Sequence, residues 1–325
     1  MQNDSSDTGV TLLTTDALRR WPLPMPSADG DKEERGRVLV IGGSREMPGA
    51  AILAACAALR AGAGKLTIAT GASVAQLMAL AIPESRVIAL PETTEGGIAA
   101  SAADRLDGLA QKIDAVLIGP GMQDEPAICG FVLALLPKLV GVKVILDACA
   151  MGVVCGADQS NLAFDGAVDG NTRSRIHTAH RQFLDRFDAS VLLTPHAGEM
   201  AHLSGAGKDD IEADGCAKAQ VAARRWNAVV ALKGAATFIA APDGRLWRHD
   251  GGNVGLAISG SGDTLAGIIA GLAARGASLE QAGAWGVALH ARAGEQLAAR
   301  IGPLGYLARE IAAEVPMLMH TLGQR

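Results

Sequence analysis

The residues most suggestive of chemistry lie between positions 253 and 267, in the sequence N-V-G-L-A-I-S-G-S-G-D-T-L-A-G. Asp263 follows a turn in which Gly260 and Gly262 can adopt positive φ angles. The backbone N–H groups of Gly260, Ser261 and Gly262, together with those of a following helix, can converge on a single anion. A phosphate bound there would lie beside a carboxylate that can accept a proton. This is the minimum apparatus for transferring a phosphoryl group to a hydroxyl.

The same stretch has a simpler interpretation, in which Asp263 is an ordinary helix N-cap. Three glycines within eight residues, at 255–262, favour a ligand site because a cap alone needs no such density. Gly267 and Gly271, one turn apart, predict close packing against another helix. Four apolar residues recur at helical spacing and predict a helix with one buried face that begins at or beside Asp263: Leu265, Ile268, Ile269 and Leu272.

Other candidates follow predicted strands, where ligands gather in doubly wound sheets. Ala50 comes just after Pro48 at the start of an Ala-rich helix, where free N–H groups can meet a ligand. An ordinary tight turn is an equal alternative for this loop. Gly121, in a Gly-Pro-Gly sequence, lets the backbone pass close to a bound molecule. Asp147 ends a strand and could hold a hydroxyl or a hydrated magnesium ion, with a helix N-cap as the alternative.

Two further motifs place charged groups beside strands. The sequence T-P-H-x-G-E puts the imidazole of His196 and the carboxylate of Glu199 on a turn that leaves a strand, which favours substrate contact over a purely structural His. Five residues then join two predicted strands, where a lysine can neutralise a phosphate and the backbone can contact a nucleotide: Lys233, Gly234, Ala235, Ala236 and Thr237. The alternative for these five is a charged hairpin loop.

Composition restricts the class of protein. The 325 residues are 49% hydrophobic but only 3% aromatic, so small aliphatic side chains must build the core. The net charge is −5 with scattered basic residues, which argues against nucleic acid as a partner. The acidic N-terminus is unlike a secretory signal. The sequence also lacks a run of 18 apolar residues, the length needed to span a membrane, so we expect a cytoplasmic protein.

The cysteines and histidines give no metal signature. The five cysteines have irregular spacing without a C-x-x-C pair, which predicts reduced, buried thiols. The seven histidines lack spacing such as H-E-x-x-H, so no metal ligands are assigned and no zinc site is expected.

Apolar strands alternate with Ala-rich helical segments, which predicts an α/β fold with a mainly parallel sheet and helices on both faces. The predicted strands span residues 38–41, 66–69, 87–90, 115–118, 144–146, 191–193, 229–232 and 237–240. The last of these and residues 245–249 flank Ala-Pro-Asp-Gly, which predicts a hairpin at a sheet edge.

The domain organisation follows from the same pattern. Residues 1–35 are expected to form an arm across the surface or a neighbouring subunit, and residues 36–325 a single domain. Residues 154–188 are expected to form a surface insertion or a short helical excursion.

Seven motifs in this order resemble the ADP-dependent NAD(P)H-hydrate dehydratase family, which has the ribokinase-like superfold. They extend over about residues 36–312. The motifs are G-x-x-x-V-I-G-G-S with P-G-A, A-G-x-G-K-L-T, I-G-P-G, V-I-L-D-A, T-P-H-x-G-E, L-K-G-x-x-T and N-x-G-L-A-x-x-G-S-G-D-T-L-A-G. The resemblance implies a lyase that repairs hydrated, inactive NADH or NADPH, with ADP as phosphoryl donor and with AMP and phosphate as products.

The resemblance also implies roles for individual residues. The positions that contact the hydrated nicotinamide nucleotide correspond to Ala50, Gly121, His196 and Asp263, with Asp263 also the catalytic base. Those around the adenine nucleotide correspond to Lys233, Gly234, Ala235, Ala236, Thr237 and Gly262. Magnesium is implied as the cofactor and a homotetramer as the assembly. No epimerase-like segment precedes residue 36, which implies a separate epimerase, or spontaneous inversion, for the other epimer.

Three alternatives stay open at this stage. A kinase of the same fold, acting on a vitamin precursor such as a hydroxyethylthiazole, shares the G-x-G-D chemistry but stops at the phosphorylated product. A catalytically silent nucleotide-binding protein is a second alternative, against which the intact Asp263 argues. A dehydrogenase is the weakest, because no G-x-G-x-x-G follows a predicted strand. Apart from the resemblance, the sequence leaves open whether ADP or ATP is preferred.

Overall fold

The computed structural model describes residues 9–27, 29, 31–155, 184–188 and 190–323. Within these residues the strands are β1 Val10–Leu12, β2 Arg37–Ile41, β3 Lys65–Gly71, β4 Ser85–Leu90, β5 Ala115–Ile118, β6 Lys143–Leu146, β7 Val191–Leu193, β8 Val229–Leu232, β9 Thr237–Ala240 and β10 Leu246–His249. They form one ten-stranded sheet in the order β1-β10-β9-β8-β7-β6-β5-β2-β3-β4. Only the β8–β9 and β9–β10 pairs are antiparallel. The predicted α/β fold with a mainly parallel sheet is confirmed.

The helices of the described residues are α1 Thr15–Arg20, α2 Pro48–Arg60, α3 Ala75–Ala81, α4 Glu125–Leu135, α5 Ala197–Ser204, α6 Lys208–Ala213, α7 Gly215–Trp226, α8 Ser261–Ala274, α9 Leu279–Ile301 and α10 Ala308–Gly323. Short 3-10 segments include Ala148–Val154 and Val254–Leu256. None of these helices is long and apolar enough to cross a bilayer.

Two hydrophobic cores lie on opposite faces of the sheet. One contains apolar residues of α2, α8, α9 and α10, and the other those of α4, α5 and α7. Along β2, Val38 and Val40 belong to the first core, whereas Leu39 and Ile41 belong to the second. Successive side chains of a strand point to opposite faces, so a sheet covered on both sides requires continuous apolar strands.

The helix that carries Asp263 is α8, and it lies at the centre of the first core. Residues 264–274 are all buried, because α8 packs between α2, α9 and α10 and against the sheet. The predicted helix is therefore confirmed, but the expectation of a single buried face was wrong. Its glycines allow this packing: a Cβ atom on Gly267 would overlap the carbonyl oxygen of Ala54, and one on Gly271 would lie 2.8 Å from the Cβ of Ala61.

The predicted hairpin exists but is not at the edge of the sheet. The N-terminal strand β1 pairs in parallel with β10, so the strand at this edge comes from the first residues of the chain. Behind it, the indole rings of Trp21 and Trp247 stack with centroids 5.3 Å apart, and the Trp285 indole N–H donates to the Trp21 carbonyl oxygen at 2.8 Å. This strand was not predicted, because three residues of mixed polarity give no strand signal.

Two other expectations concern the middle of the chain. Most of the segment predicted as an insertion, residues 154–188, lies outside the described residues. The expectation that the cysteines are buried is confirmed for Cys129 and Cys155. It was wrong for Cys149, which is exposed in the 3-10 segment after β6, and Cys56 and Cys216 are only partly buried.

The packing of α8 against α2 predicts a large effect for Gly267→Ala. The added methyl group would overlap backbone that cannot rotate away, so we expect the free energy of unfolding to fall by about 1–3 kcal/mol. Gly130→Ala is the matched control, because this glycine is also inside a helix but its Cβ atom would meet the Cβ of Ala100 at an ordinary 3.6 Å. The control should be neutral, or stabilising by up to about 1 kcal/mol. Urea denaturation measures both, and equal stability of the two variants would contradict the packing described for α8.

Candidate active site

The loops that follow the central strands are joined to one another by backbone hydrogen bonds. The N–H of Gly43 donates to the Pro120 carbonyl at 2.7 Å, and that of Asp147 donates to Ile118 at 3.0 Å. Further along the sheet, the N–H of Lys233 donates to the Pro195 carbonyl at 2.8 Å. The strands β2, β5, β6, β7 and β8 are neighbours in the sheet, so their carboxyl ends form one continuous edge. The predicted motifs thus lie side by side at the place where such folds bind ligands.

Lys233 is the central charge of this edge. Its ammonium nitrogen lies 3.5 Å from Oδ1 of Asp147 and 3.7 Å from Oε2 of Glu199. Asp147 also accepts a hydrogen bond of 2.6 Å from the hydroxyl of Thr194. Asp147 does occupy the N-cap position of the 3-10 segment that follows, as the N-cap alternative expected, but its side chain makes no cap bond there and is free to face Lys233. On another side, a Cβ atom on Gly262 would lie 3.5 Å from the ammonium.

The charges of this cluster shift the pKa values of Lys233 and Asp263. Burial alone would lower the pKa of Lys233, but the carboxylates of Asp147, Glu199 and Asp263 more than offset it, so the pKa is raised and the ammonium stays charged. For Asp263, burial and then the negative charge of Asp147 raise the pKa to about 6, against the opposing effect of Lys233. A carboxylate with a pKa near neutrality suits a general base.

Asp263 is the third residue of α8 and not its N-cap. The N-cap is Gly260, whose φ of +88° lies in the left-handed region and whose missing side chain leaves room for Leu53. Gly262 is helical, so the expectation of a positive φ holds for Gly260 alone. The N–H of Ser261 donates to the Ile258 carbonyl at 3.2 Å. Of the described residues, none offers a backbone acceptor to the N–H groups of Gly260 or Gly262, which leaves these two donors for an anion, whereas the N–H of Asp263 acts on its own carboxylate.

A buried histidine that the sequence analysis did not single out supports this turn. Nε2 of His290, on α9, lies 3.0 Å from the hydroxyl of Ser261 and 3.1 Å from its carbonyl oxygen. Burial lowers the pKa of His290 to about 4, so the ring is neutral at physiological pH. A polar ring inside the apolar sequence W-G-V-A-L-H-A was the available signal. His290 thus holds both polar groups of Ser261 in place from the neighbouring helix and is itself largely shielded from solvent.

His196 is both the cap of a helix and a candidate ligand contact. Its Nδ1 accepts from the N–H groups of Gly198 at 3.0 Å and Glu199 at 3.2 Å. In return, Oε2 of Glu199 accepts from the N–H of His196 at 2.8 Å, which completes a capping box at the start of α5. Because Nδ1 is an acceptor, the hydrogen of the neutral ring is on Nε2. With 59% of the side chain exposed, that N–H is accessible to a ligand.

The two other residues implied for the substrate, Ala50 and Gly121, lie against each other. A Cβ atom on Gly121 would be 2.8 Å from the Cβ of Ala50 and would overlap the carbonyl oxygen of Met47. The φ of Gly121 is +65°, so glycine meets both a conformational and a steric requirement here. The first turn of α2 and the loop after β5 therefore meet without intervening side chains.

Four of the six residues implied for the adenine nucleotide line a cleft of about 520 Å³. Lys233, Gly234, Ala235 and Ala236 form one wall, and residues of α6 and α7 form the opposite wall. Arg248 and Phe238 also line this cleft, and the guanidinium lies 5.8 Å from the ring centroid. Thr237 begins β9 at the end of the same loop. The cleft meets the charged cluster at Lys233.

The raised pKa of Asp263 predicts that this residue destabilises the folded protein at neutral pH. Its stabilising contribution is present below the ordinary value of 3.8 and is lost as the pH rises through about 6. Asp263→Asn should therefore increase the free energy of unfolding at pH 8, on the order of 1–3 kcal/mol after allowance for partial exposure. The gain should shrink as the pH falls toward 4.

Urea denaturation at two pH values tests this expectation. Asp243→Asn is a suitable control, because backbone and side-chain hydrogen bonds from Arg245 lower the pKa of this exposed carboxylate. The control should not stabilise the protein at pH 8. An Asp263→Asn protein no more stable than the wild type at pH 8 would contradict the electrostatics described for the site.

Known proteins share both the sequence and the fold. The family model described as NAD(P)H-hydrate dehydratase matches residues 38–317. The ADP-dependent (S)-NAD(P)H-hydrate dehydratase of Xanthomonas campestris pv. campestris is 46% identical over 313 residues, which cover 96% of this chain and 97% of that protein.

Two solved structures resemble the fold over nearly the whole chain. The ADP/ATP-dependent NAD(P)H-hydrate dehydratase from Bacillus subtilis, co-crystallised with ATP and Mg²⁺, has a TM-score of 0.76 and 29% identity, and the match covers 97% of this chain and 99% of that one. A ribokinase-like superfamily protein from Enterococcus faecalis V583 also has a TM-score of 0.76, with 26% identity and full coverage of both chains. The ribokinase-like fold expected from the motifs is thus confirmed, and the chain belongs to the NAD(P)H-hydrate dehydratase family.

Proposed function

We propose that this protein is an ADP-dependent NAD(P)H-hydrate dehydratase, which converts hydrated NADH or NADPH to the reduced cofactor with formation of AMP and phosphate. One observation carries the proposal. Asp263, whose pKa is raised to about 6, belongs to the same charged cluster as the partly buried Lys233 and lies in the helix turn where the N–H groups of Gly260 and Gly262 are free for an anion. A base, a cation and an anion cradle in one place are the parts that phosphoryl transfer to a hydroxyl requires.

The first step uses Asp263 as the base. The ring hydroxyl of the hydrate attacks the terminal phosphoryl group of ADP, its proton passes to the Asp263 carboxylate, and the bond to the AMP oxygen breaks. The N–H groups of Gly260 and Gly262 and the ammonium of Lys233 stabilise the negative charge on the transferred group. Burial of this lysine strengthens its effect, because the local dielectric is lower than that of water.

The second step is the elimination of phosphate and needs no further phosphoryl donor. Hydroxide is a poor leaving group and phosphate is a good one, so the lone pair of the ring nitrogen can expel phosphate from the phosphorylated hydrate. Loss of a proton from the adjacent ring carbon then restores the carbon–carbon double bond of the dihydronicotinamide. The overall change removes one water from the hydrate and transfers it to ADP, which becomes AMP and phosphate.

The substrate sites follow from the same edge of the sheet. We assign the hydrated nicotinamide nucleotide to Ala50, Gly121, His196 and Asp263. Support comes from the direct approach of Gly121 to Ala50 and from the exposed Nε2–H of His196. The adenine nucleotide is assigned to the cleft beside Lys233, lined by the residues already described. Thr237, the first residue of the next strand, and Gly262, which faces the Lys233 ammonium, are assigned to the same nucleotide.

Magnesium fits the donor set of this site. The carboxylates of Asp147, Glu199 and Asp263 influence a single ammonium, that of Lys233, so negative charge is in excess. Oxygen donors of this kind are those that Mg²⁺ takes together with substrate phosphates. Asp147 and Glu199 would hold the ion, and when bound it would neutralise charge on the phosphoryl group. These residues also keep Lys233 protonated and in place.

We further propose a cytoplasmic homotetramer that works beside a separate epimerase. The exposed apolar side chains of Leu77 and Leu80, on α3, support self-association. An enzyme specific for one epimer of the hydrate leaves the other to be inverted first, which supports the need for an epimerase. The division into an arm over residues 1–35 and a catalytic domain over residues 36–325 is part of the same proposal.

A direct assay tests the function. The protein is mixed with NADH hydrate, Mg²⁺ and ADP, and recovery of the dihydronicotinamide absorbance is followed, with ATP in a parallel reaction. Asp263→Asn should lower turnover by roughly 10²- to 10⁴-fold. A kinase would consume nucleotide without restoring the absorbance. No recovery with either nucleotide would overturn the proposed activity, and near-normal turnover of Asp263→Asn would remove this residue from the role of base.

His196 caps a helix through Nδ1 and offers Nε2–H to the substrate, so two substitutions should distinguish its effect on stability from its effect on substrate binding. Asn is a good N-cap, so His196→Asn should leave the free energy of unfolding within about 0.5 kcal/mol of the wild type, whereas His196→Ala should lose about 1 kcal/mol. Both variants lack the Nε2–H donor and should raise KM for the hydrate about tenfold. Urea denaturation and steady-state kinetics measure the two effects. A wild-type KM for His196→Asn would show that the ring serves only as a cap.

A further inference from the structure

Three side chains that can each bind a metal converge on the second core's side of the sheet. They come from separate elements: Glu125 is the first residue of α4, Cys155 follows the 3-10 segment Ala148–Val154, and His202 is in the last turn of α5. One ligand atom from each residue lies within 4.8 Å of those of the other two. Nothing in the proposed dehydration uses these residues.

The separations suit a tetrahedral zinc ion. Nitrogen and oxygen ligands at about 2.1 Å from Zn²⁺ are held about 3.4 Å apart by a tetrahedral angle, and Nε2 of His202 lies 3.4 Å from Oε1 of Glu125. A thiolate at about 2.3 Å from the ion would be about 3.6 Å from either atom. Cys155 needs to approach by an amount on the order of 1 Å, which a side-chain torsion can supply.

The surroundings leave room for this set of ligands. A Cβ atom on residue 152 would lie 2.6 Å from Oε1 of Glu125, so the glycine found there gives the carboxylate its space. The thiol of Cys155 is buried and lies 3.9 Å from the carbonyl oxygen of His202. Glu125 and His202 are about half exposed, so an ion has a path to the site and water can occupy a fourth position.

We propose that Glu125, Cys155 and His202 form a binding site for a zinc-class divalent cation, separate from the active site. The mixture of thiolate, imidazole and carboxylate favours zinc over magnesium, which prefers oxygen ligands alone. Such an ion would fasten α4 and the segment after β6 to the end of α5. The first turn of α5 carries His196 and Glu199, so the site would hold in place the helix that presents these two residues to the active site.

Titration of the full-length, metal-free protein with Co²⁺ tests the proposal, because a cobalt–thiolate bond gives a near-ultraviolet charge-transfer band. The wild type should develop this band, and added Zn²⁺ should abolish it. Cys155→Ser should lose the band, and calorimetry should show Zn²⁺ affinity lowered at least about tenfold. His202→Gln, a substitution of an exposed side chain, should weaken Zn²⁺ binding to a similar extent and guards against a folding defect in Cys155→Ser.

Two controls isolate the site. Cys149→Ser removes a neighbouring exposed thiol and should keep the band, and Asp263→Asn should keep it because the active site is elsewhere. A wild-type protein without the band would overturn the proposal. So would a band that persists in Cys155→Ser or that disappears in Cys149→Ser instead.

Discussion

The ion pairing of the partly buried Lys233 ammonium is the interaction on which the active site depends. Three carboxylates act on it, those of Asp147, Glu199 and Asp263. Without a central cation, these groups would repel one another in a poorly solvated place, and at least one would take up a proton. Each comes from a different part of the chain: the end of β6, the first turn of α5 and the first turn of α8. The adjacency of β6, β7 and β8 brings Asp147, Glu199 and Lys233 together, and the start of α8 adds Asp263.

The fold could be predicted to the extent that it depends on local pattern. Strands covered on both faces are runs of apolar residues, and all eight strands predicted from such runs exist. The apolar pattern after Asp263 was also sufficient to predict the helix α8. Its burial on every side could not be predicted, because apolar residues on one face do not reveal whether α2, α9 and α10 will cover the others. Likewise, β1 is a strand only because β10 offers it an edge.

The same distinction, between local sequence pattern and packing of distant segments, applies to the active site. Glycine-rich turns and charged residues at strand ends identified the loops that meet, because the carboxyl ends of parallel strands share one edge. Sequence could not show that Asp147 faces Lys233 across 86 positions, or that His290 supports Ser261 from another helix. The same applies to Cys155, Glu125 and His202, whose spacing matches no metal motif. Contacts of this kind are determined by packing between elements that are distant in the chain, so no local sequence pattern indicates them.

The pairing of β1 with β10 has a consequence for the behaviour of the protein in solution. An open sheet ends in unpaired N–H and C=O groups, which can recruit a strand from another molecule. At this edge the first residues of the chain take that place, and the stacked rings of Trp21 and Trp247 hold the following segment against the sheet. The N-terminal segment thus acts as a built-in competitor for strand addition. It covers β10 and leaves as the open edge only the three residues of β1, a strand too short to offer much of a template to another chain.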